Sequence, residues 1–374
     1  MASLALRNLL HDRVRLVVTL TGIVFSVVLS AIQLGLFVGF RRATSDLIRL
    51  SGADVWVKSE GVTHLESPVP FAESVRYEVL ATPGVAAAAK YIANFGAWKR
   101  PDGADEGVMV IGIDPTAAMG RPWNLTAGRV EDLMQADAVI VDELYLGKLG
   151  IRGLGATAEM NGRRVKVVGL TRGIRTFTTA PPVFATFKHA LDYTSLDADQ
   201  TMFILARAAK GVTPDDLVRA LRGRLSHVDV LTTQAWQLEQ EAYWMFGTGA
   251  GVTVLIAAGL GMLVGVVVVA QTIYAATVDH LKEYGTLKAI GAANRYIYRV
   301  ITQQALVSAA AGYGVGISIA LAVSRASLAG TTAILIPWPL VLGLAGATAA
   351  MCLAASIVSI NKATRIDPAM VFRS

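Results

Sequence analysis

The stretch VDHLKEYGTLKAIGAANRYIYR, residues 278–299, decides how the rest of this chain is read. It is a charged island between two apolar runs, Val252–Tyr274 and Ile301–Ser324, neither of which contains Asp, Glu, Lys or Arg. Each run exceeds the roughly 20 residues that a helix needs to cross a bilayer. The island is therefore predicted to be a short loop at a membrane surface, tethered at both ends. It carries Lys282, Lys288, Arg295 and Arg299, and short basic loops stay on the cytoplasmic side. Asp279, His280, Lys282 and Glu283 make up a first helical turn. Leu281, Tyr284 and Leu287 recur at a spacing of three on one face, Gly291 breaks the helix, and Asn294 is placed to cap the next one. A short loop held between two membrane helices is a suitable handle for a soluble protein to push on.

Composition agrees with a membrane protein. The chain has 374 residues, is 53% hydrophobic and has a mean hydropathy of +0.50, with the apolar excess gathered into a few runs. Its net charge is +6 and its pI about 9.4. The cations flank apolar runs and are not interleaved with aromatics, so they mark membrane surfaces and not a nucleic-acid interface. Cys352 is the one cysteine, which rules out an intrachain disulfide.

Outward from the island, four spans are predicted: residues 16–40, 247–274, 301–324 and 338–360. Residues 1–15 form an amphipathic cytoplasmic helix, with Leu6, Leu9, Leu10 and Val14 on one face and Arg7, Asn8, His11, Asp12 and Arg15 on the other. The first span is too long for the apolar region of a signal peptide and is read as an uncleaved anchor. Residues 275–300 are the loop, 325–337 a short external linker with one basic residue, and 361–374 a basic tail. Trp338 sits where an interfacial aromatic belongs. Counting cations places the N-terminus, the loop and the tail in the cytoplasm. The predicted architecture is four transmembrane α-helices with a large α+β extracytoplasmic domain, 41–246, between the first and second.

That domain carries mixed signals of the α+β kind. Strands are expected at Ala53–Lys58, Val108–Ile113, Ala138–Val141, Val183–Thr186 and Met202–Ala206. Thr157–Met160 and Val165–Leu170 flank Asn161-Gly162, a strong hairpin-turn signal. Pro70–Leu80 has helical spacing and is followed by a Pro83-Gly84 turn. Thr213-Pro214-Asp215-Asp216 opens a helix running to Arg224, and Trp236–Met245 is a helix leading into the second span.

No G-x-x-x-x-G-K-[S/T], H-E-x-x-H, C-x-x-C or G-x-S-x-G occurs, so nothing points to catalysis, a metal or a nucleotide held by this chain. The spans also lack the buried ionisable groups of an ion relay. They do contain the pairs Gly35/Gly39, Gly261/Gly265 and Gly312/Gly316. Glycines one turn apart let helix backbones approach closely in lipid, so these are candidate packing positions.

The string Glu283–Ala292, EYGTLKAIGA, resembles the coupling-loop signature of the ABC-transporter permeases that include the macrolide exporter, the lipoprotein-extraction permeases and the cell-division permease. Three features agree: the order of one span, a large ectodomain and three spans; Gly52-Ala53-Asp54-Val55-Trp56-Val57 soon after the first span; and a tail, Arg365–Arg373, similar to a closing R-x-x-P-x-x-x-L-R with Phe372 in the usual Leu place. The chain looks most like the four-span permeases encoded apart from their ATPase, such as the heterocyst glycolipid export permease. The resemblance implies a non-catalytic, multi-pass bacterial inner-membrane subunit, paired with a second copy of itself and with an ABC ATPase that holds ATP and magnesium. It implies mechanotransmission: ATPase motion reaches the ectodomain and drives export or extraction of a lipid-like or other amphiphilic substrate, with a periplasmic adaptor as a further partner. Lys282, Glu283, Tyr284, Leu287, Lys288 and Gly291 would make the ATPase contact. An alternative within the same resemblance is a regulatory membrane protein whose ectodomain activates a cell-wall hydrolase.

Overall fold

The computed structural model describes residues 13–279, 286, 290 and 293–364. Of the amphipathic segment 1–15 only 13–15 are described, and the closing motif 365–373 lies outside the described residues. Contacts divide the chain into two compact units. One holds the described residues up to Gly39, Gly251–Ser327 and those from Ala333 onward. The other holds Phe40–Ala250 together with Leu328–Thr332.

Among the described residues four helices, which lie mainly in the first unit, are long and apolar enough to cross a membrane. These are α1 (Arg13–Arg49), α7 (Ala250–Asp279), α8 (Asn294–Ser327) and α9 (Trp338–Thr364). Their ends differ from the expected 16–40, 247–274, 301–324 and 338–360 because a helix does not stop where charge begins. Beyond residue 40, α1 runs through Arg41 and Arg42 to Arg49 and buries Leu47 and Ile48 in the sheet unit's core. In contrast, α7 starts late, since Gly249 takes a left-handed φ of 77° just before it. Asn294, expected as a cap, is the first residue of α8, and the carbonyl of Ala293 before it accepts from the Tyr296 amide.

The second unit is built on a ten-stranded sheet. Its strands are β1 (Val55–Ser59), β3 (Val85–Lys99), β4 (Asp105–Ile113), β5 (Leu125–Ala127), β6 (Ala138–Asp142), β7 (Thr157–Met160), β8 (Arg163–Thr171), β9 (Pro182–Thr186), β11 (Phe203–Ala208) and β12 (Val228–Thr232), in the order β12-β1-β11-β3-β4-β9-β6-β8-β5, with β7 pairing β3 and β8. A small pair, β2 (Phe71–Ala72) and β10 (Gln200–Thr201), stands apart from it. Pairing is antiparallel except between β4 and β9 and between β6 and β8. Helices α2 (Val75–Leu80), α3 (Leu146–Leu149), α4 (Phe187–Thr194), α5 (Pro214–Arg222) and α6 (Thr233–Ala242) complete it.

Alternation across β1 separates two cores. Trp56 points into the larger one, with Tyr91, Trp98, Phe203 and Trp236. Val55 and Val57 point the other way, against Leu217, Val218 and Leu221 of α5. The expected strands are present, and so is the β7–β8 hairpin, whose Asn161 and Gly162 hold φ of 46° and 76°, as a two-residue turn of this kind requires. Thr213 caps α5 by accepting from the Asp216 amide at 3.2 Å. Pro70–Leu80 is divided between β2 and the short α2. Trp236–Met245 becomes the last part of α6 followed by a π-helical turn, Tyr243–Gly247.

Candidate functional site

The six glycines singled out by spacing all fall where a helix meets a neighbour within the membrane unit. On α7, a side chain at Gly261 would meet Leu29 Cδ2 at 2.8 Å, and one at Gly265 would meet Ser26 and Met351 Sδ. On α8, Gly312 faces Ile23, and a β-carbon at Gly316 would lie 2.9 Å from Val27. All four are therefore seats for α1, apart from the share that α9 takes at Gly265 through Met351. Gly35 and Gly39 on α1 face the segment leading into α9: a side chain at Gly35 would come within 2.7 Å of Ile334, and one at Gly39 would strike the Ala333 carbonyl. By contrast, Gly259, Gly314, Gly343 and Gly346 have nothing near enough to meet a side chain. The two groups differ in surroundings, not in composition.

Short polar side chains stitch the same seams. Ser26 Oγ donates to the Gly261 carbonyl at 3.0 Å and Ser30 Oγ to the Ala258 carbonyl at 3.3 Å. Tyr313 OH donates to the Val341 carbonyl at 2.6 Å, and the Leu335 amide to the Gly35 carbonyl at 3.0 Å. Ile23, Val27, Val269, Ile273, Ile297, Ile301, Met351 and Cys352 fill the space between. With lipid on the outside, close backbone approach and interhelical hydrogen bonds replace the hydrophobic drive that water supplies.

Lys282, Glu283, Tyr284, Leu287, Lys288 and Gly291 lie outside the described residues. Inside the same loop, the Ile290 amide donates to the Thr286 carbonyl at 3.1 Å, one helical turn, and Ile290 is 80% exposed.

A second cluster, not anticipated from the sequence, lies in the sheet unit where Thr44 of α1, the segment around Glu66 and the end of α6 come together. Gln240, fully buried, donates to the Thr44 carbonyl at 3.1 Å and to Glu66 Oε2 at 2.9 Å, and accepts from the Leu65 amide at 2.7 Å. Trp244 Nε1 donates to the same carboxylate oxygen at 3.1 Å. Burial raises the Glu66 carboxyl above the usual carboxylate range despite these donors, and burial lowers His64, whose ring stacks on Tyr243 at 4.1 Å. Ser45 donates to Glu241 at 2.8 Å, and Arg41 lies 3.7 Å from it. The available signal was the aromatic run Tyr243-Trp244-Met245-Phe246 beside a predicted span; its partners are remote in sequence and carry no pattern of their own.

Two family models match the chain: the MacB-like periplasmic core domain over residues 16–224 and the FtsX-like permease C-terminal over residues 255–368. Similar proteins include an uncharacterised ABC transporter permease of Mycobacterium tuberculosis, 25% identical over 383 aligned positions that cover 98% of both chains. Another, from Mycobacterium bovis, is 24% identical over 384 positions with the same coverage. Among solved structures, the extracellular domain of the noncanonic ABC-type transporter YknZ from Gram-positive bacteria matches 48% of this chain and 98% of its own, at 15% identity and a TM-score of 0.35. The periplasmic region of MacB from Actinobacillus actinomycetemcomitans matches 49% of this chain and 90% of its own, at 12% identity and a TM-score of 0.37. With one apolar helix before the sheet unit and three after it, the chain belongs to the family of multi-pass inner-membrane ABC transporter permeases that join a MacB-like periplasmic core to an FtsX-like permease domain.

Proposed function

We propose that this permease couples ATP hydrolysis on a separate ATPase subunit to motion of its periplasmic core. The observation that carries the proposal is the charged, basic loop 278–299 between α7 and α8, inside the region matched by the FtsX-like model. ATP binding closes the ATPases, moves the loop and shifts α7 relative to its neighbours. Lys282, Glu283 and Lys288 orient the ATPase, Leu287 fills a pocket on it, Tyr284 adds to the contact, and Gly291 permits the turn. Two copies of the chain work with two ATPase subunits, with both termini in the cytoplasm. The work is done outside the bilayer on a lipid-like or other amphiphilic substrate, with a periplasmic adaptor.

The test is co-purification with the ATPase partner followed by ATPase assay. Glu283→Ala and Leu287→Ala are expected to insert normally in the membrane and to lose most of the permease-dependent stimulation. Stimulation at the wild-type level in both variants removes the assignment. If a hydrolase of the cell wall co-purifies with the periplasmic core instead of an adaptor, the core regulates that enzyme and does not export.

A further inference from the structure

We infer that the loop Arg172–Ala180 of the periplasmic core is a coupling element, with Arg175 and Phe177 as its positioning residues: it grips the chain beside every point where the periplasmic unit gives way to the membrane unit. The chain passes between the units after Gly39, after Ala250, after Ser327 and after Thr332. The partners of the loop are Phe40, Trp244, Leu328 and Gly330, all inside the periplasmic unit and all close in sequence to those points. The Phe177 ring meets Phe40 edge-on at 5.5 Å and Trp244 at 4.5 Å. The Arg175 guanidinium donates to the Leu328 carbonyl at 2.7 Å and to the Gly330 carbonyl at 3.1 Å and 3.2 Å. Two side chains, two residues apart, thus hold the base of α1, the turn before α7 and the α8–α9 linker.

A gripping loop transmits displacement only if its own root is stiff, and this root is. Asp142, 1% exposed, accepts from the Leu144 amide at 3.0 Å, from Thr171 Oγ1 at 2.9 Å and from the Ile174 amide at 2.8 Å. At the far end, Lys148 donates to the Thr179 carbonyl at 3.0 Å while pairing with Glu106 on β4 at 3.0 Å. Thr176 Oγ1 donates to the Ala180 carbonyl at 2.7 Å across the bend. Thr179 is held at a φ of 56°, a conformation that a β-branched residue adopts only where its surroundings enforce it. The loop is a rigid bracket rooted in β6, β8 and α3, with Arg175 and Phe177 reaching the crossing segments. The guanidinium bonds to the Leu328 and Gly330 carbonyls tie the α8–α9 linker to the core. A planar fork on two carbonyls holds orientation as well as position, which a lysine cannot match.

The coupling role rests on the proposed ATP-driven reading; the grip itself does not, and the experiment separates them. Hydrogen exchange is measured on the full-length protein in nanodiscs, first alone. Arg175→Ala is expected to speed exchange across residues 328–334 by about 10-fold or more, through loss of charge-assisted hydrogen bonds, with the β3–β4 amides 92–112 unchanged. Arg175→Lys is expected to fall between. Unchanged exchange at 328–334 in Arg175→Ala overturns the grip. The complex with the ATPase is then compared with and without ATP and magnesium. In the wild type, exchange at 172–180 and at 250–279 is expected to respond to ATP; in Arg175→Ala and in Phe177→Leu, the response at 172–180 is expected to vanish while that at 250–279 persists. A response at 172–180 that survives both substitutions overturns the coupling role. If the wild type itself shows no ATP response, the ATP-driven function fails and takes the coupling role with it, while the first measurement still decides the grip.

Discussion

The two units solve the same packing problem with opposite side chains. In the periplasmic core the fully buried positions include Trp56, Trp98, Trp236, Tyr91 and Phe203. In the helical unit close approach is made at glycines, among them Gly261, Gly265, Gly312 and Gly316 against α1. In water, removing large apolar surface stabilises a fold. In lipid the tails are as apolar as the side chains, so that term vanishes and closeness of approach takes its place. The difference teaches that a large-to-small change should harm the core and a small-to-large change should harm the bundle.

The largest expected effect breaks the core side of this contrast. Trp98 is fully buried, and its Nε1 donates to the Leu149 carbonyl at 3.1 Å. Trp98→Ala should cost about 3–5 kcal/mol, read as the lowered melting temperature of the purified protein; a shift no larger than that of an exposed control would defeat the contrast. On the bundle side, Gly265→Val should cost about 1–3 kcal/mol or more by overpacking against Ser26 and Met351, whereas Gly314→Ala, in open surroundings, should leave the melting temperature unchanged. Equal shifts in both would show that spacing and not contact governs these glycines.

Glu66 sharpens the comparison because it is a buried carboxyl inside the core. Its pKa is raised in the folded state, chiefly by burial. The native protein therefore binds the proton more tightly than the unfolded chain, and stability is fully present at low pH and lost as pH rises through the raised value. Glu66→Gln, which still offers one oxygen to Gln240 and Trp244, should flatten the stability profile just above the usual carboxylate range, read by melting curves across pH. A profile unchanged from wild type would mean that the carboxyl titrates normally. Ser26→Ala is expected to have the smallest effect, roughly 0.6 kcal/mol for one interhelical hydrogen bond. A loss several times larger would make the hydroxyl, not the glycine beneath it, the principal contact of that seam.

The helical unit was legible because its signals are local. Apolar length marks the spans, and glycines four apart mark the seams before any partner is known. The hairpin at Asn161-Gly162 and the cap at Thr213 were legible for the same reason. The strand β3 was not. Its first half, Val85-Ala86-Ala87-Ala88-Ala89, has the composition of a helix, and only pairing with β11 and burial of Ala88 and Ala89 in two different cores make it extended. The α1 extension past Arg41 is not legible either, because charge reads as the end of a span while Leu47 and Ile48 find a core to enter. Arg175 and Phe177 sit in a stretch, Arg172–Ala180, with no periodicity, and their partners at 40, 244, 328 and 330 are brought together only by the fold.

The strand Val85–Lys99 carries one more consequence. Its first half is hydrogen-bonded to β11 and its second half to β4, with no break in the chain between them. Neither half of the periplasmic core can therefore be cut away with a clean boundary: a fragment ending near Ile92 leaves an unpaired strand edge on each piece. The core should melt in one step, resist proteolytic dissection into halves, and accept inserted domains only at its turns, such as the open Pro101–Ala104 bend between β3 and β4.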